Sequence, residues 1–191
     1  HTVGNYEYGF FWYLYLDGTI QMEVKLTGII GVSAIEDGGE RPDVAPLVAP
    51  NVTSPIHQHL CCFRLDFNID GLENSVYEVE AETVPISDDN PEGTAFRAKT
   101  TLLATEQQAQ RDCYPQRSRY WKVVNPDRKN GLGKPVAWKL LPSASPTLLA
   151  DDHSIMAKRA GFAKHNLWVT QFEEGAFNAA GDYPNLLNQG G

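Results

Sequence analysis

The polar and apolar positions of this chain fall into short two-residue periods, and each run predicts a strand. Residues 10 to 16, Phe-Phe-Trp-Tyr-Leu-Tyr-Leu, are apolar or aromatic on both parities, the pattern of a strand covered on both faces. Asp17-Gly18 then supplies a hairpin turn. On the return, Ile20, Met22, Val24 and Leu26 alternate with Gln21, Glu23, Lys25 and Thr27, so the first set should face inward and the second water. The hairpin is expected to place Tyr6 just before the more buried of its two strands, on a rigid scaffold away from bulk solvent.

Residues 36 to 55 carry Glu-Asp-Gly-Gly-Glu-Arg-Pro and three further prolines, which predicts a long loop rather than a central strand. After Pro55 the alternation returns: His57, His59, Cys61, Phe63, Leu65, Phe67 and Ile69 share one parity. This predicts a strand that points both imidazoles into the fold and ends at Asp70-Gly71. Further strands are expected near 75 to 84, 95 to 104, 119 to 124, 135 to 141 and 166 to 172, with a single helical stretch over 154 to 164. The expected class is mainly β, an antiparallel β-sandwich with one short helix.

Composition narrows the function classes. With 191 residues, 42% hydrophobic and 21% charged, the chain can bury a core, which excludes disordered and collagen-like readings. A net charge of -8 and the lack of a dense Lys/Arg cluster disfavour nucleic acid. No uninterrupted apolar run reaches the ~18 residues of a membrane span, and no signal pattern opens the chain. The compartment stays open, with a soluble, cytoplasmic protein preferred. Beginning at His1 without Met, the chain is expected to be processed or a piece of something longer. Cys61, Cys62 and Cys113 form neither a disulfide framework nor a CxxC pair and are expected to be small core residues. Asn51-Val52-Thr53 is taken as a chance sequon in a loop.

The candidate chemistry lies in His57-Gln58-His59. On a strand, an HxH pair puts two imidazoles on one face with Cα atoms about 6 to 7 Å apart, able to converge on one ion at ~2.0 Å. Imidazoles in a tetragonal arrangement suit copper(II). The alternative is a packed or hydrogen-bonded pair. Tyr6 by itself reads as an ordinary amphipathic tyrosine with a satisfied hydroxyl. A copper site built from the amino group and imidazole of His1 is a further alternative; the spacing of His153 and His165 does not recommend them.

Taken together, Asn5-Tyr6-Glu7-Tyr8-Gly-Phe-Phe-Trp-Tyr-Leu-Tyr-Leu-Asp-Gly-Thr, Pro55-Ile-His57-Gln-His59-Leu, Arg64-Leu-Asp66, Pro146-Thr-Leu-Leu-Ala, Leu167-Trp-Val-Thr and Gly181-Asp-Tyr-Pro-Asn resemble the catalytic β-sandwich domain of the copper amine oxidases. The resemblance implies that Tyr6 is the precursor of topaquinone and that His57 and His59 are two of three copper ligands. It implies that Asn5 orients the quinone ring and that Glu7 stands in the cofactor motif where the family accepts Asp or Glu. Asp66, with the Phe67 carbonyl, matches a peripheral calcium or manganese site; the alternative is a turn or salt-bridged aspartate near Arg64. The implied reaction converts a primary amine and dioxygen to aldehyde, ammonia and hydrogen peroxide, in a homodimer.

Two expected parts of that family's site have no match in the chain. The third copper histidine lies beyond the Gly-Asp-Tyr-Pro-Asn motif, and the proton-abstracting aspartate lies before the Asn-Tyr motif. The expectation is a piece of one catalytic domain, cut at both ends and inactive in isolation. A β-sandwich binding or structural module without redox function is the competing reading.

Overall fold

The computed structural model describes residues 1–39 and 43–175. They fall into two compact units, one from His1 to His59 and one from Leu60 onward.

The first unit is built on the expected hairpin. Strands β1 (Thr2–Val3), β2 (Tyr6–Leu14) and β3 (Ile20–Gly28) form an antiparallel sheet in that order. The β2–β3 register runs without a break from Tyr6↔Gly28 to Leu14↔Ile20. At the hairpin tip, the Tyr15 N–H donates to Thr19 O at 3.0 Å and the Gly18 N–H to Tyr15 O at 3.0 Å. Gly18 takes φ 85°, the left-handed conformation that a glycine permits without Cβ strain. At the other end Gly28 has φ 103°, and a Cβ there would stand 2.4 Å from the Asn5 carbonyl oxygen. Only glycine lets β3 pass this close to the turn that delivers Tyr6.

Burial departs from the expectation. Phe10, Phe11, Trp12, Leu14 and Leu16 are exposed, Trp12 at 60% and Leu14 at 78%. Ile20 and Leu26 are also about half exposed, leaving Met22 and Val24 as the half-buried members of the apolar row. Alternation reports which side of a strand is apolar; whether another layer covers that side is a separate matter of packing.

The expected loop over 36 to 55 contains structure. Strands β4 (Ser33–Ala34), β5 (Leu47–Ala49) and β6 (Val52–Thr53) form a small antiparallel sheet ordered β4-β6-β5. Asn51, at φ 55°, turns β5 into β6, a conformation that asparagine tolerates better than most residues. Residues 40–42 lie outside the described part.

His57 to Phe67 forms no strand, which corrects the reading of a period-two strand there. Of its apolar row only Ile69 is buried, while Cys61, Phe63 and Leu65 are exposed. Cys61 and Cys62 are therefore not core residues, and all three cysteines are free thiols. Cys113 is half-buried, and burial followed by the nearby Asp112 charge pushes its thiol pKa up.

The second unit contains β7 (Ser75–Thr83), β8 (Phe96–Leu102), β9 (Gln110–Arg111), β10 (Tyr120–Lys129) and β11 (Pro135–Leu140). The main sheet is ordered β11-β10-β7-β8. Its core holds Trp121, fully buried, with Val79, Val123 and Val124. Helix α1 (Ile155–Arg159) starts at Ser154, whose Oγ accepts from the Ala157 N–H at 3.0 Å, an ordinary serine N-cap. A 3₁₀ turn over Gly161–Lys164 follows. The strand expected over 166 to 172 shortens to β12 (Leu167–Trp168), which pairs with β9.

Every strand pairing among the described residues is antiparallel, and α1 is the one α-helix among them. The mainly-β, antiparallel class is the expected one. No described helix is long and apolar enough to cross a membrane. The Gly181-Asp-Tyr-Pro-Asn stretch lies outside the described residues.

Candidate functional site

Strand β2 presents Tyr6 and Tyr8 on one face, because side chains two apart on a strand point the same way. Both are half-buried. Opposite them stand His57 and His59, also two residues apart. The Tyr6 hydroxyl lies 3.2 Å from His57 Nε2, and the Tyr8 hydroxyl lies 2.8 Å from His59 Nδ1. The four rings form one cluster: Tyr6 to His57 is 5.7 Å between centroids, Tyr6 to His59 4.9 Å and Tyr8 to His59 5.6 Å.

The histidine rings converge despite the missing strand. Their Nε2 atoms are 3.0 Å apart, while His57 Nδ1 donates to the Pro55 carbonyl at 2.8 Å. A carbonyl only accepts, so this contact puts the His57 proton on Nδ1 and leaves Nε2 with its lone pair. His57 is exposed and His59 half-buried, so the imidazoles are less enclosed than the alternation suggested.

Tyr6 is held from a second direction. The Gly31 N–H donates to its phenol oxygen at 3.2 Å, and the buried Ser54 hydroxyl donates to the Gly31 carbonyl at 2.9 Å. Ser54 precedes Pro55, so the serine ties the residue that contacts Tyr6 to the segment that holds His57. Gly31 and Ser54 carry no motif that would have singled them out. Tyr8 did carry a signal, since it stands two residues after Tyr6 as His59 stands two after His57.

The donor set fits a copper ion. Two Nε2 atoms 3.0 Å apart are close enough to be shared by one metal ion at ~2.0 Å from each, and imidazole nitrogens suit copper(II). Both Nδ1 atoms point away and are hydrogen-bonded, as ligating imidazoles usually are. Among the described residues, no group of three or more His, Cys, Asp or Glu is arranged to hold a metal, so these provide two imidazoles and a phenol.

The remaining candidates are dispersed. Asn5 is exposed in the turn between β1 and β2, where its carbonyl accepts from the Ile29 N–H at 2.8 Å. Glu7 points to the other face of β2, where its carboxylate accepts from the Thr2 hydroxyl at 2.8 and 2.9 Å. Asp66 is exposed, and the Phe67 carbonyl accepts from the Asn74 side chain at 2.9 Å. Arg64 donates to the Glu173 carbonyl and lies over the Phe172 ring. His165 accompanies Asp112, at 3.1 Å, well away in sequence from the cluster. The His1 amino group donates to the Tyr8 carbonyl at 2.8 Å.

The family pattern described as "Copper amine oxidase, enzyme domain" matches residues 1–191. The chain is 48% identical over 184 residues to a histamine oxidase of Arthrobacter globiformis, covering 96% of this chain and 27% of that protein. It is 44% identical to a primary amine oxidase of Arthrobacter sp. (strain P1), covering 96% of this chain and 28% of the relative. Among solved structures, a copper-containing benzylamine oxidase from Hansenula polymorpha aligns with a TM-score of 0.88 at 32% identity, over 96% of this chain and 29% of its own. The chain thus spans little more than a quarter of the length of these relatives.

Proposed function

The chain belongs to the copper amine oxidase family, and from that premise we propose that its parent protein is a copper- and topaquinone-dependent primary-amine oxidase. The overall reaction takes a primary amine, dioxygen and water to an aldehyde, ammonia and hydrogen peroxide. The observation that carries the reading is the Tyr6 hydroxyl 3.2 Å from His57 Nε2, beside two convergent imidazoles. We place residues 1–191 within a single catalytic domain of a homodimer, with the third copper ligand and the proton-abstracting carboxylate elsewhere in the longer parent.

When bound, copper and the quinone derived from tyrosine supply the two-electron redox chemistry that amino-acid side chains lack. The chain's own residues then have defined tasks. His57 and His59 would hold the metal through Nε2, with the Pro55 carbonyl fixing which His57 nitrogen carries the proton. Tyr6 is the residue to be oxidised, and the Gly31 N–H fixes its phenol oxygen on the histidine side of the ring. β2, locked in register with β3, keeps the ring from swinging away, which matters because catalytic geometry tolerates little misplacement. Asn5, at the mouth of the same turn, is assigned to orienting the ring, and Glu7 to bracing that turn through Thr2.

We also assign Asp66 and the Phe67 carbonyl to a secondary calcium or manganese site. The Asn74 amide takes one lone pair of that carbonyl and leaves the other for a cation.

The test is amine-dependent release of hydrogen peroxide and ammonia by the full-length protein, purified with copper in air, against its Tyr6→Phe variant. Turnover is expected in the first and none in the second. Equal turnover in both would sink the assignment of Tyr6. No turnover in either, with copper bound, would favour the reading of a module without redox function.

A further inference from the structure

His57 and His59 are held by different kinds of partner. His57 Nδ1 donates to a carbonyl two residues away, at 2.8 Å, so its anchor is local and can only accept. The His59 Nδ1 partner is the Tyr8 hydroxyl, 51 residues away in sequence and also at 2.8 Å. That hydroxyl stands on β2, inside a nine-residue ladder with β3. His59, by contrast, lies in a segment with no strand pairing.

We propose that Tyr8 is the positioning residue of His59: its hydroxyl fixes the plane of the imidazole and turns the Nε2 lone pair toward the copper. This rests on the reading of His57 and His59 as copper ligands. Two imidazole Nε2 atoms 3.0 Å apart require either one shared proton or one shared cation between them. With the His57 proton committed to Pro55, a shared proton must come from His59 Nε2, and then Nδ1 accepts from Tyr8. Under copper, Nε2 gives its lone pair to the metal and Nδ1 carries the proton, so the same hydroxyl must accept. A phenol does both, and a carbonyl could not. Tyr8 thus lets His59 take either tautomer without moving its ring, and ties the second ligand to the strand that carries Tyr6.

The geometry also separates Tyr8 from a packing role. Tyr8 and His59 meet edge to face, with centroids 5.6 Å apart and planes at 64°. The ring contact would survive in Tyr8→Phe, which removes the hydroxyl alone. Loss of an outer partner of a metal-bound histidine typically weakens metal binding by about tenfold to a hundredfold.

The experiment uses the full-length protein and copper(II), with affinity read by chelator competition and geometry by the copper EPR spectrum. Y8F is expected to bind copper in that range more weakly, with a shifted spectrum, while its copper-free thermal midpoint stays near the wild-type value. Tyr13→Phe, on the other face of β2 and bonded to Glu23 at 2.7 Å, should change neither readout. Wild-type affinity and spectrum in Y8F would overturn the proposal. Should Y8F not fold, Tyr8→Met is judged by the same two readouts. His59→Ala separates the two layers of inference: undiminished copper binding there removes the ligand assignment itself, whereas lost binding in H59A with normal binding in Y8F removes only the role of Tyr8.

Discussion

Replacing Glu78 should weaken the second unit more than any surface change. Its carboxylate is buried in β7 and accepts from Arg111 Nε at 2.8 Å, Arg111 Nη2 at 2.6 Å and the Trp121 indole at 3.2 Å. Arg119 Nε stands 3.4 Å away, and Arg119 also binds Glu80 and the Asp112 carbonyl. Removing one partner of a buried ion pair costs about 3–5 kcal/mol, because the other charge is left unpaired. Arg111 is one-third exposed and can recover some hydration, and Arg119 keeps Glu80, so Glu78→Ala should fall at the low end, about 3 kcal/mol. Glu78→Gln keeps an acceptor for Trp121 and loses the charge, and should cost about 1.5–3 kcal/mol.

The same pair predicts a pH dependence. Burial alone raises the Glu78 pKa, but the Arg111 hydrogen bonds and the charges of Arg111 and Arg119 outweigh it, so the net shift is downward. A folded-state pKa below the unfolded one means the stabilisation is present above the ordinary carboxylate range and is lost as pH falls through the folded value. The advantage of wild type over E78Q should therefore be full at pH 7 and shrink in acid. A large parent protein need not unfold in one step. The assay is therefore local: hydrogen exchange of peptides covering β7, β9 and β10, corrected for intrinsic rates at each pH. Unchanged protection in E78A, or a gap between wild type and E78Q that widens in acid, would refute the reasoning.

Two shorter predictions concern the first unit and the assembly. Gly28→Ala puts a Cβ 2.4 Å from the Asn5 carbonyl at φ 103°; it should cost about 1–3 kcal/mol and loosen the turn that delivers Tyr6, measured as faster exchange of the β1–β2 amides. The parent should sediment as a homodimer, in keeping with exposed apolar residues such as Trp12, Leu14 and Phe96; a monomer at all concentrations would contradict this.

Local pattern and tertiary coverage were unequally legible in the chain. The β2–β3 hairpin could be read because Ile20 to Thr27 alternate cleanly and Gly18 punctuates the turn. The strands of the main second sheet could be read within a residue or two at most ends because Asn-Pro, Gly-Leu-Gly and proline-containing turns separate them. Burial could not, since the apolar parity of Phe10 to Leu16 says nothing about whether a covering layer belongs to this chain. Alternation over His57 to Ile69 also looked like a strand, yet a strand needs a neighbour to accept its N–H groups, and parity carries no information about that neighbour. The small sheet within 33 to 53 was hidden because its turn rests on a left-handed Asn51 rather than on glycine. The meeting of Tyr6 with His57 spans 51 residues, so no local period could pair them; the family resemblance did. Gly31 and Ser54 were missed because their contacts depend on the folded path of the backbone, whereas the spacing of Tyr8 from Tyr6, matching that of His59 from His57, was a signal left unused.

Conversion of Tyr6 to the quinone can be checked by treating the full-length protein, matured with copper in air, with phenylhydrazine and locating the coloured adduct by peptide mapping. The adduct should form close to stoichiometrically with the copper-loaded subunits, sit on the peptide containing Tyr6, and vanish when His57 or His59 is replaced by alanine before copper is added. A copper-loaded protein that gives no adduct, or one that carries it on a peptide without Tyr6, would contradict the account.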